Sequence, residues 1–382
     1  MDHDLAIPDD PADLASLLEA LPNTPAVFLL FPRATGTVPD PKPSLFRTNV
    51  LRRRLTKLLT GPFLNAVDRV EYRQTGSRLE AQFRLLELAR LHFGAARREY
   101  VRLRFPYYVR LAFSNPFPRT RVTRRLTHSD SETVGPFQSR STAAHFESEF
   151  LDLFQLRRCQ ENLAPGPDHP GCIYGEMNRC LRPCQQAVGP EEYHAEAERV
   201  AAFLRTSGRS LLDNALAARD RLSGEMDFEG AAMMHQRVKR VEAVAAVRDE
   251  MARPMEHLHA VAVLPAPTAG SVTLGWLRSG TWHGFTLLDF ETQPDPDKPQ
   301  TASLDTRLRE TATHLPFLER TPIERMEHLA LLSRWFYSTW RDGELLLFDD
   351  WEKPPYRKLV NAVSRVAKGK DNKSDAPPPA LN

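Results

Sequence analysis

Cysteine is almost missing from this 382-residue chain, and the little there is falls in one place. All four cysteines lie between Cys159 and Cys184. Structural thiols scattered through a core would not cluster in this way. Long apolar runs are missing too. None reaches the roughly 18 residues of a membrane span, so no membrane partner is expected. The opening MDHDLAIPDDPADLASLLEA is acidic and lacks the basic and apolar regions of a signal peptide. The expectation is a cytoplasmic protein, in which thiols stay reduced and clustered cysteines favour metal over disulfides. No internal repeat occurs. What is present is ordinary for globular protein: 41% hydrophobic and 26% charged residues. Proline is abundant, at 31 residues, which implies many breaks between short elements. The length implies roughly two to four domains.

Acidic residues are scarce in one long block. From Arg47 to Arg125 there are 19 Lys and Arg, 18 of them Arg, against 5 Asp and Glu, a local excess of 14 positive charges. That is the electrostatic footprint of a phosphate-binding surface, and equally of a solvated basic face. The aromatics of RLRFPYYVRLAFSNPF are candidates for base stacking, or core positions of a strand.

Along the chain, PADLASLLEAL reads as a short helix and PAVFLLF as a buried strand. ATGTVPDPKPS is a loop. NVLRRRLTKLL has helical spacing of Val50, Leu51, Leu55, Leu58 and Leu59 with a basic opposite face. RVEYRQT reads as a strand. SRLEAQFRLLELARLHFG is an amphipathic helix capped by Ser77 and ended by Gly94. YYVRLAF returns as a strand and completes a small α/β domain. Ser139–Leu156 is helical. GPEEYHAEAERVAAFLRT opens a helix with Pro190 and two glutamates. Ser210–Ser223 and Phe228–Met251 form an antiparallel hairpin. HAVAVLPA, SVTLGWLRSG and TWHGFTLLDF are strands with a turn at Ser279-Gly280. ETQPDPDKPQTAS is a polar loop, and Thr321 caps a helix over TPIERMEHLALLSRWFYSTW. Its aromatics either bind bases or, as the simpler reading, pack Trp335 and Trp340 against the strands.

The cysteines are spaced C-x12-C-x7-C-x3-C. Four soft thiolates so close together suit zinc or an iron–sulfur cluster. The spacing has neither the paired CxxC knuckles of a zinc ribbon nor a ferredoxin pattern, so the residues alone leave that choice open.

LFQLRRC followed by GCIYGEMNRCLRPCQQAVGPEEYHAEAERVAAFL resembles the cysteine-rich segment of the UvrC family, excinucleases of nucleotide excision repair. The resemblance implies that Cys159, Cys172, Cys180 and Cys184 ligate a 4Fe–4S cluster, with zinc as the alternative. LSGEMDFEGAAMMHQRVKRVEAV resembles the UVR motif, by which UvrC-like proteins bind UvrB. It implies partner contacts through Phe228, Glu229, Ala231 and Ala232, with Phe228 plugging the open end of the hairpin and small alanines letting its helices approach. The family's Arg-Asp pair in the second helix is His235-Gln236 here.

Upstream, LPNTPAVFLLF, SLFRTNVLRRRL, TGSRLEAQFRLLELARL and VGPFQSRSTAAHFESEFLDLF resemble, in order, segments of the family's GIY-YIG nuclease domain. Its chemistry needs a divalent metal, a group that activates water and a cation on the phosphate. The family's two tyrosines are Phe28 and Ser44 here, and its two glycines are Ala26 and Phe46. Leu85 stands where the metal-binding glutamate aligns, unless a two-residue gap brings Glu87 there. The basic residues are kept. The resemblance therefore implies a degenerate site whose catalytic candidates are Arg54 and Glu87, and a phosphate-binding remnant of Arg47, Arg52, Arg53 and Arg54.

In the family an RNase H-like nuclease and helix-hairpin-helix modules follow. No helix-hairpin-helix glycine pattern occurs here, and Asp342, Asp349, Asp350 and His328 have no two-metal spacing. The expected fold is a multi-domain α/β chain: a GIY-YIG-like domain over 1–110, a connecting helical extension over 111–158, a four-cysteine metal segment over 159–185, a helical region over 186–252 with the UVR-like hairpin at about 210–246, a small C-terminal α/β domain over 255–366 and a disordered tail over 367–382. The expected function is a UvrC-like repair protein that binds DNA and a UvrB-like partner with an inactive nuclease site. The alternative is a single-incision DNA endonuclease with a rearranged site, which alone would need Mg or Mn.

Overall fold

A computed structural model of the chain describes residues 2–33, 42–63, 65–126, 131–289, 303–315 and 320–369. Most of the two expected polar loops, and the expected tail beyond residue 369, lie outside these. The described residues form three four-stranded sheets, and every strand pair is antiparallel.

The first unit contains β1 (His3–Ala6), α1 (Pro11–Ala20), β2 (Ala26–Pro32), β3 (Ser44–Thr48), α2 (Leu51–Leu59), β4 (Val67–Gln74) and α3 (Arg78–Phe93), with sheet order β1-β4-β2-β3. Side chains alternate across a strand. Ala26, Phe28 and Leu30 of β2 therefore face one layer, made with Leu18 of α1 and Leu51, Leu55, Leu58 and Leu59 of α2. Val27 and Leu29 face the other layer, beneath α3. The Ser77 hydroxyl accepts the Glu80 N–H at 3.1 Å and Gly94 ends α3, as expected from the sequence.

The second unit contains β5 (Tyr107–Ala112), β6 (Arg119–Thr123), β7 (Ser131–Phe137), α4 (Arg140–Leu151), α5 (Ile173–Glu176), α6 (Pro190–Arg205), α7 (Arg209–Gly224), α8 (Phe228–Ala246) and β8 (Arg253–Pro254), with sheet order β6-β5-β7-β8. This corrects the expected division near residue 110. YYVRLAF does not close the first sheet. As β5 it pairs with β6 and β7, because Val109 and Leu111 pack with Phe146 and Phe150 of α4 and Tyr193 of α6. The expected helical extension over 111–158 accordingly holds two strands as well as a helix. The helical hairpin is present as α7 and α8, and the Asp227 carboxylate caps α8 by accepting the Gly230 N–H at 2.9 Å.

The third unit contains β9 (His259–Pro265), β10 (Ser271–Arg278), β11 (Thr281–Asp289), α9 (Leu304–Thr313), α10 (Pro322–Phe336), β12 (Glu344–Phe348) and α11 (Tyr356–Ala367), with sheet order β11-β10-β9-β12. Ser279 and Gly280 make the expected turn with φ of 47° and 74°. One face of this sheet packs under α9 and α11 through Val261, Trp276, Leu308 and Leu359. The other packs on α3 and α10 through Ala262, Trp282, Leu329 and Trp335.

α3, read from its sequence as an amphipathic helix, is buried on more than one side. Leu79, Glu80, Ala81, Gln82, Phe83, Leu86 and Ala89 are all buried, because the third sheet covers the side the first leaves bare. The two units approach to backbone contact. A Cβ on Gly76, just before α3, would lie 2.2 Å from the Pro265 carbonyl oxygen, so only glycine fits there.

Candidate functional site

The residues aligned with nuclease signatures sit in the first unit. Phe28 is fully buried and stacks on Phe46 at 5.3 Å. Ser44 opposes Leu30 at the end of β3. Leu85 is half-buried and packs against the apolar core that α3 shares with the third unit. Among the described residues, no group of three His, Cys, Asp or Glu side chains is placed to hold a metal ion.

Arg54 and Glu87 are not brought together. Arg54 lies over the Phe46 ring at 5.8 Å, on the α2 side of the sheet. Glu87 is on α3, across the sheet, and pairs with Arg90 at 3.5 Å and Arg320 at 3.8 Å. These belong to a network that joins α3 to α10. Arg90 bonds Glu324 and Glu327, each at 2.8 Å, and Arg97 bonds Glu327 at 2.9 Å. Glu80 is buried against β10, and its carboxylate accepts the Gly76 N–H at 3.4 Å and the Thr273 hydroxyl at 3.5 Å. Burial pushes this carboxyl above its ordinary value, against the opposing pull of Arg84.

The four candidate phosphate-binding arginines split likewise. Arg52 donates from Nε to the Leu21 carbonyl at 2.7 Å, and Arg53 is exposed. Arg47 opposes Val27, which places it on the α3 side with Arg78 and Arg334. Burial, and then those two neighbours, lower its affinity for its proton.

The cysteine segment is held between β6 and α6. Tyr193 of α6 donates its hydroxyl to the Pro118 carbonyl and accepts the Arg157 N–H, both at 2.9 Å. Arg157 is buried and donates to the Phe117 and Glu161 carbonyls and to Cys159 Sγ at 3.5 Å. The Arg182 N–H donates to Cys180 Sγ at 3.4 Å. Arg157 and Tyr193 escaped the sequence reading, although both flank the cysteine motif. Cys180 and Cys184 are buried, Cys159 is half-buried and Cys172 is exposed; none forms a disulfide. Burial and then the other three thiols push Cys180 up to about 11; burial and then Cys172 raise Cys184. The donor set is right in kind for a thiophilic metal, and the thiols feel one another's charge. Their positions fall short of the convergence that ligation requires.

The hairpin presents a different surface. Leu211 and Ala215 of α7 and Val238, Val241 and Val244 of α8 anchor its base, while Arg240 pairs with Glu149 of α4 at 3.0 Å. The tip is bare. Met226 is 76% exposed, Phe228 67% and Met233 66%. Phe228 does not plug the hairpin. It starts α8 one residue after the Asp227 cap, where no neighbouring element covers it. Glu229 and Ala232 are also exposed, and Ala231 is half-buried. Asp342 accepts the Arg78 N–H and the Trp335 indole N–H, Asp349 pairs with Arg253, and the buried His328 accepts the Trp282 N–H. Each has a structural role.

A family model described as the UvrC/Cho excinuclease, middle domain, matches residues 107–203, from the first residue of β5 into α6. UvrABC system protein C of Nitratidesulfovibrio vulgaris is 32% identical over 133 residues, covering 35% of this chain and 19% of that protein. The protein of the same name from Rickettsia africae is 31% identical over 140 residues, 37% of this chain and 22% of that one. That from Dehalococcoides mccartyi is 23% identical over 286 residues, 71% of this chain and 45% of that one. The chain thus spans less than half the length of these curated relatives. No solved structure matches it. No helix among the described residues is long and apolar enough to cross a membrane.

Proposed function

We propose that the chain, which is similar to UvrC-family proteins in its middle region and along much of its length, acts in nucleotide excision repair as a DNA-binding protein that docks a UvrB-like partner and does not cut through its GIY-YIG-like unit. One observation carries the reading. Leu85, aligned with the metal-binding glutamate, is half-buried and packs against the apolar core that α3 shares with the third unit. A divalent ion would there meet hydrocarbon in place of oxygen ligands. Glu87, the substitute, pairs with Arg90 of its own helix and with Arg320, just before α10, across the sheet from Arg54. Phe28 has no hydroxyl with which to move a proton.

The other parts of the proposal rest on what is kept. The arginines of α2 supply positive charge for a phosphate backbone. The bare apolar tip, with Phe228 and Glu229 in the order of the UVR motif, is the docking surface for the UvrB-like partner. Cys159, Cys172, Cys180 and Cys184, right in kind for a 4Fe–4S cluster, would have to be drawn together to hold one, which would clamp their segment against α6 and bring the thiols to thiolate. Arg157, donating to Cys159, would offset part of that negative charge.

The test is incubation of the protein with a lesion-bearing or nicked duplex and Mg²⁺ or Mn²⁺. Binding without incision is expected. Incision that disappears in Glu87→Ala would overturn the reading and establish a rearranged nuclease site. Anaerobic absorption with iron and sulfide analysis tests the cluster separately, because bound zinc without colour refutes iron–sulfur alone.

A further inference from the structure

We propose that a single-stranded segment of nucleic acid lies in the cleft between residues 102–107 and the C-terminal end of α10, its phosphates on Arg102, Arg104 and Arg334 and its bases against the cleft's aromatic rings. The proposal rests on the DNA-binding reading above and adds the surface and the form of nucleic acid. Two stretches of the sequence combine arginine with aromatic residues, RLRFPYYVRLAFSNPF and RWFYSTWRDGE. They are more than 200 residues apart in the chain. The fold makes them opposite walls of one cleft of about 570 Å³. Arg102, Arg104 and Tyr107 come from the first, Arg334 and Tyr337 from the second, and Arg124, just after β6, from between them.

Charge balance sets this cleft apart. Among the described residues no carboxylate lines it. Several arginines elsewhere are matched with acids, as Arg90 and Arg97 are on Glu327 and Arg69 is on Asp4 and Glu71. Arg102, Arg104, Arg124 and Arg334 have no ion pair with any carboxylate among the described residues. The nearby Asp249 is engaged, accepting the Gln138 N–H at 3.1 Å and the Tyr337 hydroxyl at 3.3 Å. The basic surface continues past Arg334. Arg47 stands beside it, Arg78 lies over Trp340 and Arg341 over Phe336, each at 5.0 Å. Holding like charges together costs stability unless a polyanion joins them. Arg124 lies over the Tyr107 ring at 4.4 Å, so a guanidinium plane and a ring share one wall of the cleft. Flat groups beside unpaired cations suit unstacked bases, whose faces a duplex hides.

The experiment is fluorescence anisotropy of the full chain with labelled oligo-dT, oligo-U and a duplex of equal length, over a range of salt. The variant carries Arg102→Glu, Arg104→Glu and Arg334→Glu, all at exposed positions. Its melting transition checks the fold. Arg357→Glu with Lys358→Glu, exposed on α11, is the charge control. The triple variant is expected to bind single strands at least about tenfold more weakly, with a salt slope shallower by about 2 if three phosphate contacts are lost. The control pair keeps the slope, and the two oligonucleotides rank DNA against RNA. Wild-type affinity and slope in the triple variant overturn the cleft and leave the repair reading standing. No binding of any nucleic acid by the wild type overturns both. Displacement of the oligonucleotide by polyglutamate of equal charge reassigns the cleft to acidic polypeptides.

Discussion

α3 and α8 are long helices that treat their side chains in opposite ways. α3 is enclosed by two sheets and α10, so that even Glu80 and Gln82 are buried. α8 buries only Val238, Val241 and Val244 and begins with Phe228 and Met233 in solvent. The difference separates what the fold uses from what it carries. In α3 the acids that a nuclease would present to a metal are tied up by arginines, a hydroxyl and a backbone N–H. In α8 the apolar residues of the first two turns contribute nothing to the core, and an exposed cluster of that kind marks an interaction site. A sealed helix and an open apolar helix end thus occur in one chain.

The largest effect expected from breaking this contrast is on the sealed side. Glu327 is 2% exposed and receives both Arg90 and Arg97. Glu327→Ala takes from Arg97 its carboxylate partner among the described residues and leaves Arg90 only Glu324 and Glu87. The expected cost is about 3–5 kcal/mol in urea unfolding, as for one partner removed from a buried ion pair. A cost below about 1 kcal/mol would mean that the network does not hold α3 to α10.

On the open side the effect moves from stability to binding. Phe228→Ala together with Met226→Ser is expected to change unfolding free energy by no more than about 0.5 kcal/mol, since neither side chain packs on the body. Affinity for the UvrB-like partner should fall about 30-fold, the scale of an aromatic anchor worth about 2 kcal/mol. Calorimetric titration of the partner reads the second quantity and urea unfolding the first. Stability lost with affinity unchanged would place Phe228 in the fold instead.

Local periodicity was enough to find much of this architecture. The leucine spacing of α2, the Ser77 and Thr321 caps, the Ser279-Gly280 turn and the short link within the hairpin are written in neighbouring residues. The short strands were not legible. β1, β3, β8 and β12 have between two and five residues each, too few for a pattern of period two to stand out. The assignment of β5 to the second sheet depends on Phe146, Phe150 and Tyr193, which are remote in sequence. The candidate residues divide in the same way. That Phe28, Ser44 and Leu85 stand where the resemblance places reactive groups could be read from the chain. That the third unit would cover Leu85, or that two arginine-rich stretches would face one cleft, depends on contacts across hundreds of residues.

A subtler contrast lies in the glutamates that open the two helices. Burial, over the opposing pull of Arg84 and the Gly76 N–H, holds the Glu80 carboxyl above its ordinary value of 4.5. The folded state therefore binds this proton more tightly than the unfolded chain does. Ionised Glu80 costs stability above its folded pKa, and that cost fades as pH falls toward the ordinary value. Glu80→Gln is neutral throughout and keeps an oxygen to accept from Gly76 and Thr273. It is expected to raise the Tm at neutral pH, with a gain that shrinks as the melts are repeated toward pH 5. Glu229 sits exposed in the first turn of α8, where a negative charge favours the helix dipole. Glu229→Gln should lower the Tm slightly. Equal shifts of one sign at both positions, independent of pH, would show that enclosure of α3 does not govern its acids.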